Sequence, residues 1–172
     1  MKLLVAIVLI TSFFSCKKDS IQYASEFEKS KQAWNSYKAS IGNSYSYIIY
    51  SGSVFGGYAE TKITVRNGAV KGRSYLAGSY VYNQGQAPLL QIMRSWTEDS
   101  AALNTHQEGD AAVLLDEIYA QAPTVWLNVE KKKNDVYFTS DSIGLITSCG
   151  YVPKGCQDDC FIGVHIKSIT PL

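Results

Sequence analysis

An α+β fold, with helices packed on an antiparallel β-sheet in the order α-β-β-β-α-β-β-β and a long middle loop, is predicted by three features of the sequence. An aromatic stripe at helical spacing occupies residues 26–41, an Asn67-Gly68 pair separates two alternating segments, and an amphipathic segment over 111–121 precedes further alternating runs. Elements with one apolar face are buried most simply by laying helices on one side of an antiparallel sheet. Twelve tyrosines, three tryptophans and thirteen glycines with only four prolines agree with a β-rich chain of many turns.

Ahead of the first helix stands a segment with a different role. Lys2 precedes the apolar run Leu3 to Ile10, which continues through Thr11, Ser12, Phe13, Phe14 and Ser15 onto Cys16. That run is short of the ~20 residues a bilayer-spanning helix needs, and charge, apolar core and small residue in this order form a cleavable signal. With a cysteine after the small residue it resembles a bacterial lipoprotein signal. Residues 1–15 are therefore expected to be removed, Cys16 to carry lipid as the new N-terminus, residues 16–24 to form a tether, and 25–172 to form a single domain. Lys17, standing where an aspartate would retain the protein at the inner membrane, favours the outer membrane of the bacterial cell envelope.

Removing residues 1–15 leaves 157 of 172, enough for one domain with its own core. Taking Lys2 from the 16 basic residues leaves 15 against 15 acidic, so no basic field draws nucleic acid. No later run is long and apolar enough to cross a membrane, and the lipid is the expected membrane contact.

Ser25 and Glu28 are spaced as a capping box, and Phe27, Trp34, Tyr37 and Ile41 continue one helical face until Gly42. Ser44 to Tyr50 reads as a strand by alternation and aromatic content, and the glycine-rich loop 51–57 returns it to a second strand, Tyr58 to Arg66. Asn67-Gly68 suits a type I′ turn, whose two central residues need positive φ. Two-residue register then sets Val65 against Val70, Ile63 against Gly72 and Ala59 against Leu76. Tyr80 to Tyr82 extends a strand, Asn83 to Pro88 is a loop, and Leu89, Ile92, Met93 and Trp96 have the spacing of helical turns.

Residues 97–110 gather Glu98, Asp99, His106, Glu108 and Asp110, residue types that ligate divalent cations. Neither a calcium-loop spacing nor a His-x-x-x-His pair is present, so the segment is expected to be a solvated surface loop. His106, Glu98, Asp99 and Glu108 are the residues that would hold an ion. Asp110 is placed to cap a second helix, 111–121, with Leu114, Leu115 and Ile118 inward and Pro123 as its stop. Thr124 to Glu130 alternates as a strand, Lys131 to Asp135 forms a charged tip, Val136 to Thr139 and Leu145 to Cys149 are extended, and Phe161 to Ile169 closes the sheet.

Several short motifs carry a resemblance. Trp34, Tyr45-Ser46-Tyr47, Val65-Arg66-Asn67-Gly68-Ala69-Val70, Leu114-Leu115-Asp116-Glu117-Ile118, Tyr137, Gly144-Leu145-Ile146-Thr147-Ser148 and Asp158-Asp159 are similar to the pattern of a family of uncharacterised secreted bacterial lipoprotein domains. The resemblance runs over about residues 34–169, with Leu145-Ile146 where the family usually has a proline. It implies a lipoprotein and the α+β class, and carries no activity, cofactor or catalytic residue.

With Cys16 assigned to lipid, Cys149, Cys156 and Cys160 remain, and an oxidising envelope favours a disulfide. Cys149 with Cys160 is the first choice and Cys149 with Cys156 the second. The former closes a loop of ~12 residues and contributes about 3 kcal/mol on a chain-entropy estimate. The Cys-x6-Cys-x3-Cys spacing fits no common zinc module even with His165, and no nucleophile signature surrounds the cysteines. Gly52, Gly56 and Gly57 lie in a hairpin loop and form no phosphate cradle, and no cofactor motif occurs. Asp158-Asp159 is read as exposed loop chemistry in preference to a catalytic carboxylate pair.

The function expected from the sequence is a non-enzymatic binding or interaction domain, tethered by lipid at Cys16. Its partner would be a protein, a peptide or cell-wall material, met through the tyrosine-bearing sheet face or the middle loop. The competing expectation is a hydrolytic or metal-dependent enzyme using the His106 acidic loop or the Asp158–Cys160 region.

Overall fold

A computed structural model describes residues 21–172. The segment expected to be a signal, and Cys16, lie outside the described residues. The order is α1 (Ala24–Ser40), β1 (Tyr45–Gly52), β2 (Gly57–Arg66), β3 (Ala69–Val81), β4 (Leu89–Asp99), α2 (Leu115–Gln121), a π-helical turn (Ala122–Trp126), β5 (Asn134–Ser140), β6 (Ile146–Pro153) and β7 (Ile162–Pro171). Seven strands form one antiparallel sheet in the order β4-β3-β2-β1-β7-β6-β5. The last strand therefore lies at the centre beside the first, and the class is dominated by sheet.

Alternation along each strand gives the sheet two faces. Tyr45, Tyr47 and Ile49 of β1 are buried under the helices with Ile63 and Val65 of β2, Phe138 of β5 and Val164 and Ile166 of β7. Trp34 of α1 meets Tyr45 edge-on at 4.9 Å and lies parallel to Tyr119 of α2 at 6.2 Å, while Phe27 meets Phe138 edge-on at 6.0 Å. The buried phenols are satisfied: Tyr119 pairs with Ser30 at 2.8 Å and accepts the Ile146 N–H at 3.0 Å, and Tyr45 accepts the Leu115 N–H at 3.2 Å. These bonds tie α1, α2 and β6 to one another and avoid the penalty of an unpaired buried hydroxyl.

Asn67 (φ 50°) and Gly68 (φ 74°) form the expected turn, and Val65 faces Val70. Beyond that pair the predicted register is off by one residue, because Lys71 bulges out of β3. Ile63 faces Arg73 instead of Gly72, and Ala59 faces Ala77 instead of Leu76. A bulge lets one strand carry an extra residue without moving its partner's apolar set off the core face.

Other expectations are corrected. Helix α1 does not use Ser25 as its cap; it starts at Ala24, after Tyr23 in the left-handed region with its ring 6.5 Å from Phe138. Leu89, Ile92, Met93 and Trp96 are strand, not helical turns. Met93 is an extra residue opposite the Ala77–Gly78 step, which breaks the period of two and leaves an apolar spacing that imitates a helix. Residues 111–114 precede α2, and the Asp110 N–H bonds the Thr61 hydroxyl at 2.9 Å in place of any capping role; Glu117 takes the Leu114 N–H instead. Thr124 to Glu130 is not a strand. The α2 helix widens by one turn, with the Leu127 N–H reaching Ala122 O at 2.9 Å, which buries Ala122 and Leu127 and leaves Val125 exposed.

Candidate functional site

The sheet face away from the helices carries a continuous row of six rings. Tyr80 of β3, Tyr58 of β2, Tyr50 of β1, His165 of β7, Phe161 just before β7 and Tyr137 of β5 follow one another at centroid distances of 5.6, 6.4, 5.6, 4.0 and 6.4 Å. The row runs across the strands. Each of its strand residues is out of phase with the core side chains of its own strand, which is why six residues scattered between Tyr50 and His165 share one surface. Phe161 can lie on the sheet because Gly150 and its partner Gly163 have no side chains. A Cβ would stand 2.4 Å from the Phe161 ring at Gly150 and 2.9 Å at Gly163.

At the middle of this row the sheet opens. The β1–β7 ladder runs from Tyr45↔Pro171 to Ile48↔Ser168, skips Lys167, and ends at Ile49↔Ile166. Beyond it β1 stays with β2 as far as Gly52↔Tyr58, while β7 follows β6 to Ile162↔Tyr151. The parting strands leave a cleft of about 770 Å³, walled by Tyr50 and Ser51 on one side and Gly163 and His165 on the other, with the 156–161 loop as its rim.

The cleft has a definite electrostatic character. Asp110, Asp158 and Asp159 line it, and no lysine or arginine does. Nearby Lys167 is already committed: its ammonium bonds Glu60 at 2.7 Å and the Tyr58 hydroxyl at 2.9 Å, and those bonds hold its pKa well above the usual lysine value. Burial, with the bond to Glu60, likewise raises the Tyr58 hydroxyl. Burial lowers the His165 pKa below its ordinary 6.5, so the imidazole in the row is neutral at neutral pH, with Nδ1 3.0 Å from the Ser148 hydroxyl.

The acidic segment is organised differently from the solvated loop expected of it. Glu98 is fully buried on the helix-side face. Its two oxygens receive Arg73 Nε and Nη2 at 2.8 Å each, the Asn104 and His106 backbone N–H groups at 2.8 and 2.7 Å, and the Thr105 hydroxyl at 3.2 Å, while His106 Nδ1 lies at 2.9 Å. The His106 ring lies flat on Trp96 at 4.3 Å, and the Arg73 guanidinium covers Trp96 at 4.6 Å. Asp99 accepts the Ala101 N–H at 2.9 Å, and Glu108 pairs with Arg94. Of the four candidate ligands, then, only Glu98 and His106 meet, and the carboxylate is saturated by protein donors. Among the described residues no group of three or more His, Cys, Asp or Glu side chains is placed to hold a metal ion.

The cysteines pair otherwise than expected. Cys156 joins Cys160 across the rim of the cleft, and Cys149 is a free thiol buried beneath the sheet, its pKa pushed up to about 12 by burial. Cys149 points to the core face opposite Phe138 and Val164, which takes it away from the loop. Of the 97–110 acidic residues only Asp110 reaches the cleft that Asp158, Asp159 and Cys160 also line. From the sequence a sheet face was expected to bind, but neither which face nor the row was identified; the phase of each ring relative to its strand was the signal that would have found it.

Comparison of the chain with protein-family models, with curated proteins and with solved structures finds no match in any of the three.

Proposed function

We propose that the protein is a non-enzymatic binding domain of the bacterial cell envelope, tethered by lipid at Cys16, that meets its ligand on the outer sheet face at the cleft between β1 and β7. The single observation that supports this reading most is the aromatic row of Tyr80, Tyr58, Tyr50, His165, Phe161 and Tyr137 running past an open cleft. Aromatic side chains offer large contact area at small entropic loss and are enriched where surfaces bind. A concave site with a few convergent polar groups is the usual form of a ligand pocket. The enzyme reading has less support: Glu98 and His106 are taken up by the Arg73 ion pair, and Cys160 is in a disulfide and has no thiol to offer.

The test is position-specific cross-linking in bacterial cells expressing the full chain. A photoreactive residue in place of Tyr50 is expected to give an adduct, identified by mass spectrometry, that the same residue in place of Val125 on the helix side does not. Equal labelling at both positions, or none at Tyr50, sinks the reading. In parallel, Cys16→Ala is expected to move the protein from the membrane to the soluble fraction.

A further inference from the structure

Resting on the binding reading above, we infer that the ligand of the cleft and aromatic row is a neutral oligosaccharide, laid across the strands with its sugar faces on the rings. Three observations converge on that chemistry.

The first is direction. The row crosses β2, β1 and β7, and along it these strands lack a partner on one side only over the short stretches Tyr50–Gly52 and Ile162–His165, where β1 and β7 part. An extended peptide gains most of its affinity from sheets by adding a strand to a free edge. A chain lying along the row crosses these strands instead of running beside the short open edges, so it makes no such ladder and its affinity has to come from the rings and the rim.

The second is charge. On the outer face the lining carries Asp158 and Asp159 without a lysine or arginine, Asp110 lying on the helix side beside Thr61 and Arg73, and Lys167 is held by Glu60 and Tyr58. A phosphate, a nucleic acid or any polyanion would meet uncompensated carboxylates there. A ligand without charge meets no such repulsion.

The third is the alternation of surface types. A pyranose ring has an apolar face of C–H groups and an edge of hydroxyls. The exposed rings of Tyr80, Tyr50 and Tyr137 supply surface for the faces, with Phe161 and His165 stacked on one another between Tyr50 and Tyr137. The cleft adds hydroxyls at Ser51 and Ser53, the Gln157 amide and the Asp158 and Asp159 carboxylates, which can donate to or accept from sugar hydroxyls. His165 belongs in such a strip because burial keeps it neutral, so it adds ring surface without charge.

The probes are chitotetraose and cellotetraose, titrated into the full chain in a sugar-free detergent and followed by calorimetry and by NMR of side-chain resonances. At least one tetrasaccharide is expected to bind and to shift Tyr50, Tyr58, Phe161 and His165. Tyr50→Ala is expected to weaken it by about tenfold or more, the loss of one well-packed aromatic contact, and Val125→Ser to leave it unchanged. Because Phe161→Ala removes the ring that covers Gly150, circular dichroism has to show that variant folded before its binding is compared. Absence of binding by both probes at millimolar concentration overturns the inference, as does binding that shifts only residues away from the row. A protein or peptide adduct at Tyr50 in the cross-linking experiment, with no tetrasaccharide bound, overturns the sugar inference while leaving the binding reading intact; no adduct and no sugar binding removes both.

Discussion

Arg73 and Glu98 face each other across β3 and β4 with both side chains buried, joined by two parallel hydrogen bonds of 2.8 Å. The pair is the anchor of the middle of the chain. Arg73 also donates to the carbonyls of His106 and Asp110 at 2.9 and 3.0 Å, and Glu98 gathers the N–H groups of residues 104 and 106, so a segment without regular structure is pinned to the sheet at both ends.

Breaking that pair one partner at a time is expected to destabilise the fold strongly, because the remaining charge is left buried without compensation. Thermal melts of Glu98→Gln and Arg73→Met should show large losses, and the double variant Arg73→Met/Glu98→Leu should recover part of them. A double variant as unstable as the sum of the singles would refute the ion-pair account.

The same carboxylate sets a pH dependence. The Arg73 guanidinium first, then the His106 and Asn104 donors, hold the Glu98 pKa well below its ordinary 4.5. A lowered folded pKa means that the contribution is complete above the ordinary value and is lost as pH falls below it toward the folded one. Urea midpoints should therefore fall as pH drops below about 4.5, and the slope should be shallower in Glu98→Gln.

At the β2–β3 turn, Gly68 has φ +74° and a Cβ there would meet Asn43 Nδ2 at 2.6 Å. Gly68→Ala is expected to lose about 1–2 kcal/mol of stability, the penalty of a left-handed residue bearing a side chain. In urea titrations the midpoint moves and the slope does not.

Thiol chemistry separates the disulfide pairings. In unreduced Cys16→Ser protein, a thiol reagent should find no reactive group in the native state and one after unfolding, since Cys149 is buried with a pKa near 12 and the others are joined. A Cys149–Cys160 pairing would instead leave the exposed Cys156 reactive at once. Cys156→Ser with Cys160→Ser should lower stability by about 2 kcal/mol on the loop-closure estimate.

Gly150 supports the binding face. Gly150→Ala sets a methyl 2.4 Å from the Phe161 ring and 2.5 Å from the Ile162 carbonyl oxygen, so Phe161 has to leave its place between His165 and Tyr137. Loss of the Phe161–His165 contact in NMR spectra, with a lower melting temperature, is the expected result; an unchanged ring contact would contradict the packing described.

Much of the fold was legible because it is written in local terms. The stripe of Phe27 and Trp34, the Asn67-Gly68 turn and the alternation of Tyr45, Tyr47 and Ile49 each need only neighbouring residues to be recognised, and each stands where its pattern places it. Bulges are not legible in this way. Lys71, Met93 and Lys167 each slip a ladder by one residue, and whether a strand bulges depends on what its partner must keep buried.

By itself, then, the sequence determined the α1 helix, the β2–β3 hairpin, two apolar helical faces to be buried on a sheet, and a charge balance without a basic field. Tertiary structure alone decided that Glu98 is a buried partner of Arg73, that Cys149 stays free while Cys156 and Cys160 join, and that six rings from distant positions form one row. In each case the deciding fact is a position in space. Period and turn chemistry act between neighbours in the chain, whereas the ion pair depends on which positions of β3 and β4 face each other, the disulfide on Cys149 facing the core away from the 156–160 loop, and the row on the last strand lying beside the first.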